Sequence, residues 1–242
     1  MHGCLIVHGL TGTPGCVASL KNQLVQDGFV VRSPCLAGHG TTIDDLRKVT
    51  WQDWYDTVHL NFAELKRSCE KVYYAGISLG ALLGLKLAVE EGWGVRALAL
   101  LGTPLILSPL ETIAIKIVKN TPLKHIVKSI KKDLFKSVND PEGRILYQQM
   151  SLPRIPSEAV YELCKLREIV FKDMKKITNP LYLIHAKKDH VAPVKNVSLI
   201  KNMVSSDIVE NLILNQSQHV ITLDFEKEMV AKQVVNFFAK FH

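Results

Sequence analysis

Four short, almost wholly apolar runs constrain this chain most: CLIV at 4–7, VYYA at 72–75, VRALALL at 95–101 and LYLIH at 181–185. A strand without polar–apolar alternation is covered on both faces, and that calls for a parallel sheet with helices above and below it. The intervening segments supply those helices. Residues 14–27 carry Val17, Leu20 and Leu24 at helical spacing and end at Gly28, and 29–32 reads as the next strand. Thr50 is placed as the N-cap of a helix whose Trp51, Trp54, Tyr55, Val58, Phe62 and Leu65 share one face, and 79–91 gives a third long helix. The alternation lapses for about 70 residues after 101. It resumes with the strand at 181–185, a helix near 195–203, a strand at 208–214 and a last helix over 225–241. The pattern predicts an α/β chain with a doubly wound, mostly parallel sheet, in which residues 1–104 and 178–242 form the core and 105–177 an inserted helical cap. Pro109, Pro122, Pro141, Pro153 and Pro156 punctuate that insertion, and no strand is expected in it.

A length of 242 residues, 47% hydrophobic, allows one sizeable core. The uncharged apolar stretch 97–110 is broken by Gly102, Pro104 and Pro109 and falls short of a membrane span, and no secretory signal is read at the start. Five scattered cysteines (Cys4, Cys16, Cys35, Cys69 and Cys164) make neither a disulfide framework nor a zinc site. They are expected to be small buried packing residues in a reducing cytoplasm. The net charge of +7 is concentrated: between 105 and 176 there are 14 Lys and Arg against 8 Asp and Glu, so the rest of the chain is nearly neutral. That distribution argues against nucleic acid as a partner.

At the junction of the third strand and third helix stands Gly76-Ile77-Ser78-Leu79-Gly80, a G-x-S-x-G pattern in the strand–turn–helix context it requires. The sharp turn thrusts the Ser78 hydroxyl out at the carboxyl edge of the sheet. A serine hydroxyl needs a base, and the base needs an orienting partner. His219, after the last strand, and Asp189, after the strand 181–185, emerge at the same edge in the chain order Ser, Asp, His. Asp224 is the competitor for the carboxylate, and it is expected to enter the last helix. His2, His59, His125 and His242 read as solvated and His185 as structural. His190 precedes the last strand and is the weaker base, whereas His8 and His39 shape loops. The backbone N–H groups of Leu10 and Leu79 are placed to receive the oxyanion of an acyl-transfer intermediate. No metal cluster or cofactor motif is found.

HGLTGTP at 8–14, PCLAGHG at 34–40, WQDWYD at 51–56, GISLG, GTP at 102–104, AKKDHVAP at 186–193 and HVITLD at 219–224 run nearly end to end. On these pieces the chain resembles α/β-hydrolases of the bacterial carboxylesterase and monoacylglycerol lipase type. The resemblance implies the α/β-hydrolase fold, Ser78 as nucleophile, His219 as base, Asp189 as orienting carboxylate, Leu10 and Leu79 as oxyanion donors, a small helical cap over an acyl pocket, and no cofactor. Two departures stand out. Gln218 replaces the glycine such enzymes often carry before the histidine, and the chain begins almost at the HGLTG strand, as if one or two antiparallel edge strands were missing or truncated.

Within the insertion, Leu123, Ile126, Val127, Ile130 and Leu134 alternate with Lys124, Lys128, Lys131, Lys132 and Lys136, which predicts a basic amphipathic helix with solvated lysines. An alternative use for those lysines is peripheral contact with an anionic membrane. The expected activity is hydrolysis of small or monoacyl lipid esters. A monoacylglycerol lipase or acyl thioesterase is the nearest alternative, and a hydrolase-fold binding protein with little turnover is the alternative from another class.

Overall fold

The computed structural model describes residues 1–108 and 127–242. The strands β1 (His2–Val7), β2 (Val30–Arg32), β3 (Lys71–Ile77), β4 (Leu98–Leu101), β7 (Leu181–Ala186) and β8 (Val209–Leu214) form one sheet in the order β2-β1-β3-β4-β7-β8. Every pairing in it is parallel. Successive residues serve opposite faces: Leu5 and Val7 enter one core, Cys4 and Ile6 the other. The first core is closed by α3 (Trp51–Ser68) and α4 (Leu79–Glu91), and the second by α1 (Ala18–Gln26) and α9 (Lys227–Ala239). This is the doubly wound arrangement predicted. Among the described residues the sheet has no antiparallel strand, and no helix is long and apolar enough to cross a membrane.

The chain goes outward from β1 to β2 and then returns across β1 to β3, so strand order reverses between β1 and β3. Open parallel sheets bind ligands in the crevice beyond such a point. Val7 pairs with Gly76, and Ile77 with Leu101, so the loops that follow these strands leave the sheet at one level.

Local chemistry explains the element starts. The 14–27 helix opens as a 3₁₀ turn, Pro14–Val17, before α1 begins. The short α2 (Ile43–Lys48) starts at Thr42, whose hydroxyl accepts from Asp45 N–H. The Thr50 N–H donates to Asp53 Oδ2 at 2.7 Å, which ties off the first turn of α3. The first two turns of helix α4 are apolar all round because they are covered all round, with Leu79, Leu82, Leu83 and Leu85 buried.

The insertion departs from expectation. It contains a two-stranded antiparallel sheet, β5 (Ser129–Lys131) with β6 (Arg154–Pro156), beside α5 (Leu134–Ser137), α6 (Pro141–Gln149) and α7 (Ser157–Asp173). Residues 123–126 of the expected basic helix lie outside the described residues, and the remainder is not one helix. Ile130 pairs with Ile155 across the strands, and Asp133 then accepts from Phe135 N–H and Lys136 N–H, which starts a new helix inside the predicted one. Tertiary pairing and an internal cap thus override the lysine rhythm. Lys128, Lys131 and Lys136 are exposed, but Lys132 turns inward. Helix α7 joins the main core through Ala159, Leu166 and Val170, held in part by Arg167, which donates to the Leu105 carbonyl. The following β7, α8 (Asn196–Met203) and β8 complete the alternation. Four of the five cysteines are at least half-buried, whereas Cys35 is exposed on the loop after β2; all five are free.

Candidate active site

Ser78 stands between β3 and α4 with φ 55° and ψ −113°, a left-handed conformation that side chains rarely adopt. Its N–H donates to the Leu101 carbonyl at 2.9 Å, and its carbonyl accepts from Ala81 and Leu82, so the bend is fixed from both sides. The motif glycines permit it: a Cβ on Gly80 would strike the Val7 carbonyl, and one on Gly76 would strike Gly80.

The sequence-predicted partners converge on this hydroxyl. His219 Nε2 lies 2.9 Å from Ser78 Oγ, and His219 Nδ1 lies 2.7 Å from Asp189 Oδ2. The other carboxylate oxygen, Asp189 Oδ1, accepts from Val191 N–H at 2.9 Å and Ala192 N–H at 2.8 Å. Burial alone would push the Asp189 carboxyl up, but the neighbouring imidazole and those two amides outweigh it and hold the group below the ordinary carboxylate range. An ionised Asp189 requires the proton on Nδ1 and leaves Nε2 facing the serine as an acceptor.

Leu10 N–H and Leu79 N–H, following β1 and beginning α4, make no hydrogen bond among the described residues. The described residues lining the pocket beside Ser78 include Leu10, Cys16, Ile77, Tyr147 and Val220. His8 supports the loop: Leu36 N–H donates to its Nε2 at 3.1 Å, so Nδ1–H donates to the Gly9 carbonyl at 2.9 Å. His39 packs edge-on against His8 and Trp54. Burial draws His8 down to about 4; burial, with His8 beside it, draws His39 to about 3. His190 is exposed, and His2, expected in solvent, stacks on His242. Among the described residues no group of three or more His, Cys, Asp or Glu side chains is arranged to hold a metal.

Asp224 is fully buried, but it has a different task from the one weighed for it. Its carboxylate accepts from the N–H groups of Asn139, Asp140, Gln218 and Phe225. It precedes α9, and together with Glu226, which accepts from Asn215, Gln216 and Ser217, it shapes the loop that carries His219. Gln218 occupies the position before the histidine without disturbing the relay distances. Sequence reasoning gave no site role to Gly102 or Tyr147 and read Lys132 as a solvated lysine of the insertion. Gly102, at φ 55°, lies where a Cβ would come within 3.4 Å of His219 Nδ1 and 3.5 Å of Asp189 Oδ2. Its position directly after β4, in Gly-Thr-Pro, was the available signal.

The family described as serine aminopeptidase, S33 (Hydrolase_4) matches residues 2–227. The chain belongs to this hydrolase family. It is an α/β-hydrolase of the esterase and monoacylglycerol lipase type. A thermostable monoacylglycerol lipase of Bacillus sp. (strain H-257) is 29% identical over 98% of this chain and 90% of its own length. A carboxylesterase of Bacillus subtilis (strain 168) is 27% identical over 98% and 92%. Among solved structures, one from a pair of metagenome-derived lipolytic enzymes superposes on the hydrolase with a TM-score of 0.85 and 25% identity, covering 99% of this chain and 94% of that one.

Proposed function

We propose that the chain is a serine carboxylesterase acting on small or monoacyl lipid esters through an acyl-enzyme. The observation that carries this reading is the unbroken relay from Ser78 Oγ through His219 to Asp189. Ser78 Oγ attacks the ester carbonyl carbon while its proton passes to His219 Nε2. The carbonyl oxygen becomes an anion received by Leu10 N–H and Leu79 N–H, and one such fixed donor is worth about 10²–10³ in rate. Collapse breaks the bond to the alkoxy oxygen, which takes the proton from His219. Water repeats the sequence on the acyl-enzyme and frees the acid.

The family's description includes aminopeptidases, which must hold a substrate ammonium. The described residues lining the pocket include no carboxylate, Asp189 being spent behind His219, and Lys132 sets a cation over the ring of Tyr147, one of those lining residues. That environment favours a neutral ester over a peptide amino terminus. Rates on p-nitrophenyl esters, long-chain monoacylglycerols, acyl thioesters and aminoacyl p-nitroanilides rank the alternatives, with the esters and monoacylglycerols expected to lead. Ser78→Ala is expected to lower turnover at least about 10⁴-fold, and a fluorophosphonate to label the wild type at Ser78 alone. A labelled residue elsewhere, or turnover retained in Ser78→Ala, ends the assignment. An unlabelled, inactive wild type points instead to a binding protein of the same fold.

A further inference from the structure

The oxyanion loop is stitched to the inserted segment rather than to the sheet alone. Thr11, next to Leu10, is fully buried, β-branched and held at φ 68°, in the left-handed region. Its carbonyl accepts from Leu152 N–H at 2.9 Å, and its hydroxyl accepts from Lys132 Nζ at 3.2 Å. Thr13 Oγ1 donates to the Met150 carbonyl at 3.0 Å, and Cys16 Sγ to the same carbonyl at 3.4 Å.

Lys132 is the unusual member of this set. It is half-buried, and no carboxylate among the described residues pairs with it. Its ammonium contacts Thr11 Oγ1, Ser151 Oγ at 2.5 Å and the face of the Tyr147 ring at 4.1 Å, so its three protons are committed and none is left for a ligand. Full commitment argues against an anion-binding subsite and for a structural tie between insertion and loop.

We propose that Lys132 is a positioning residue through which the insertion sets the oxyanion loop, holding Thr11 so that Leu10 N–H faces the reacting carbonyl. The proposal rests on the reading of Leu10 as an oxyanion donor. A cation suits the position, because charge-assisted donation holds Thr11 more firmly than a neutral donor and a positive charge behind the loop favours the developing oxyanion. Among the described residues, the titratable groups facing Lys132 are Tyr147 from α6 and Cys16 from the 3₁₀ turn, and burial raises both, so both are neutral. Desolvation draws Lys132 itself down to about 8. Its charge therefore fades as pH rises through about 8.

Lys132→Met is expected to lower kcat about tenfold with KM within twofold, and to remove an alkaline decline in kcat that the wild type shows above pH 8. Thr11→Val, isosteric but without the acceptor, is expected to give a similar loss, Thr11→Ser to recover most of it, and the double variant to be no worse than the poorer single one. Hydrogen exchange of amides 9–13, measured without substrate, is expected to quicken at least tenfold in Lys132→Met. A kcat within twofold of wild type, multiplicative losses in the double variant, or unchanged exchange overturns the proposal. If Lys132→Met does not fold, the Thr11 pair and its exchange decide the matter alone. A wild type without turnover defeats the ester reading, while the exchange result still judges the tie.

Discussion

Ser78 is costly to place, because a non-glycine residue in its conformation gives up about 1–3 kcal/mol. Only the surrounding bonds to Leu101, Ala81 and Leu82 make the bend persist. The cost returns as preorganisation, since the hydroxyl meets His219 without a further rearrangement. Two substitutions probe that geometry. Asp189→Asn keeps the shape of the side chain but presents an amide to His219 Nδ1, which favours the wrong tautomer, and kcat is expected to fall about 10⁴-fold. The fluorophosphonate reaction at Ser78 is expected to slow in parallel, and unchanged labelling would show that the carboxylate does not orient the imidazole. Gly102→Ala adds a methyl beside both partners at a backbone angle that alanine resists. Its kcat is expected to drop by roughly one to two orders of magnitude, with thermal unfolding measured alongside to separate strain at the site from loss of the fold.

At the scale of elements, the His219 loop is held from outside the core. Asp224 gathers four N–H groups, two of them from Asn139 and Asp140 in the insertion, and Val220 N–H donates to the Ser137 carbonyl at 2.9 Å. Asp224→Asn replaces one acceptor oxygen with a donor facing N–H groups, and the loss is expected to be about 3 kcal/mol. Urea unfolding measures that loss, and kcat well below the transition is expected to fall too, because the loop that aims His219 slackens; stability and kcat both unaltered would remove this role. These ties mark the limit of what was legible in the sequence. The core strands and α4 were legible because apolar runs and helical spacing arise from burial against neighbours of any identity. The meeting of Ser78, Asp189 and His219 at one edge was legible because chain order along a parallel sheet decides which loops share an edge. The insertion was not. The Ile130–Ile155 pairing, the inward turn of Lys132 onto Thr11 and the bonds of Asp224 to Asn139 and Asp140 depend on specific partners far away in the chain, and local periodicity carries no information about them.

The whole molecule has an acid-sensitive edge, because His8, His39 and His185 all lie buried near the carboxyl ends of the strands. Desolvation draws His8 and His185 down to about 4 and His39 to about 3, with His8 adding to the shift in His39 and Asp189 partly opposing that in His185. In the unfolded chain each returns to about 6.5. Between roughly pH 6.5 and 4 the unfolded chain therefore binds up to about three more protons than the fold, and stability falls as pH falls. Asp189, held below its unfolded value, acts in the same direction at still lower pH. From pH 7 to pH 5 the three imidazoles together are expected to remove about 5 kcal/mol, a large share of the 5–15 kcal/mol typical of a folded domain. That corresponds to a fall in Tm of roughly 10–20 °C for a chain of this size. Calorimetry across pH 5–8 measures it, and His39→Phe, which removes one titrating group while keeping an aromatic ring against Trp54, is expected to flatten the slope by about one proton. A Tm constant from pH 7 to pH 5 would mean that these rings take up protons without unfolding. The bonds of His8 to Leu36 and Gly9 would then have to survive an imidazolium whose Nε2 can no longer accept, which the geometry of that loop does not allow.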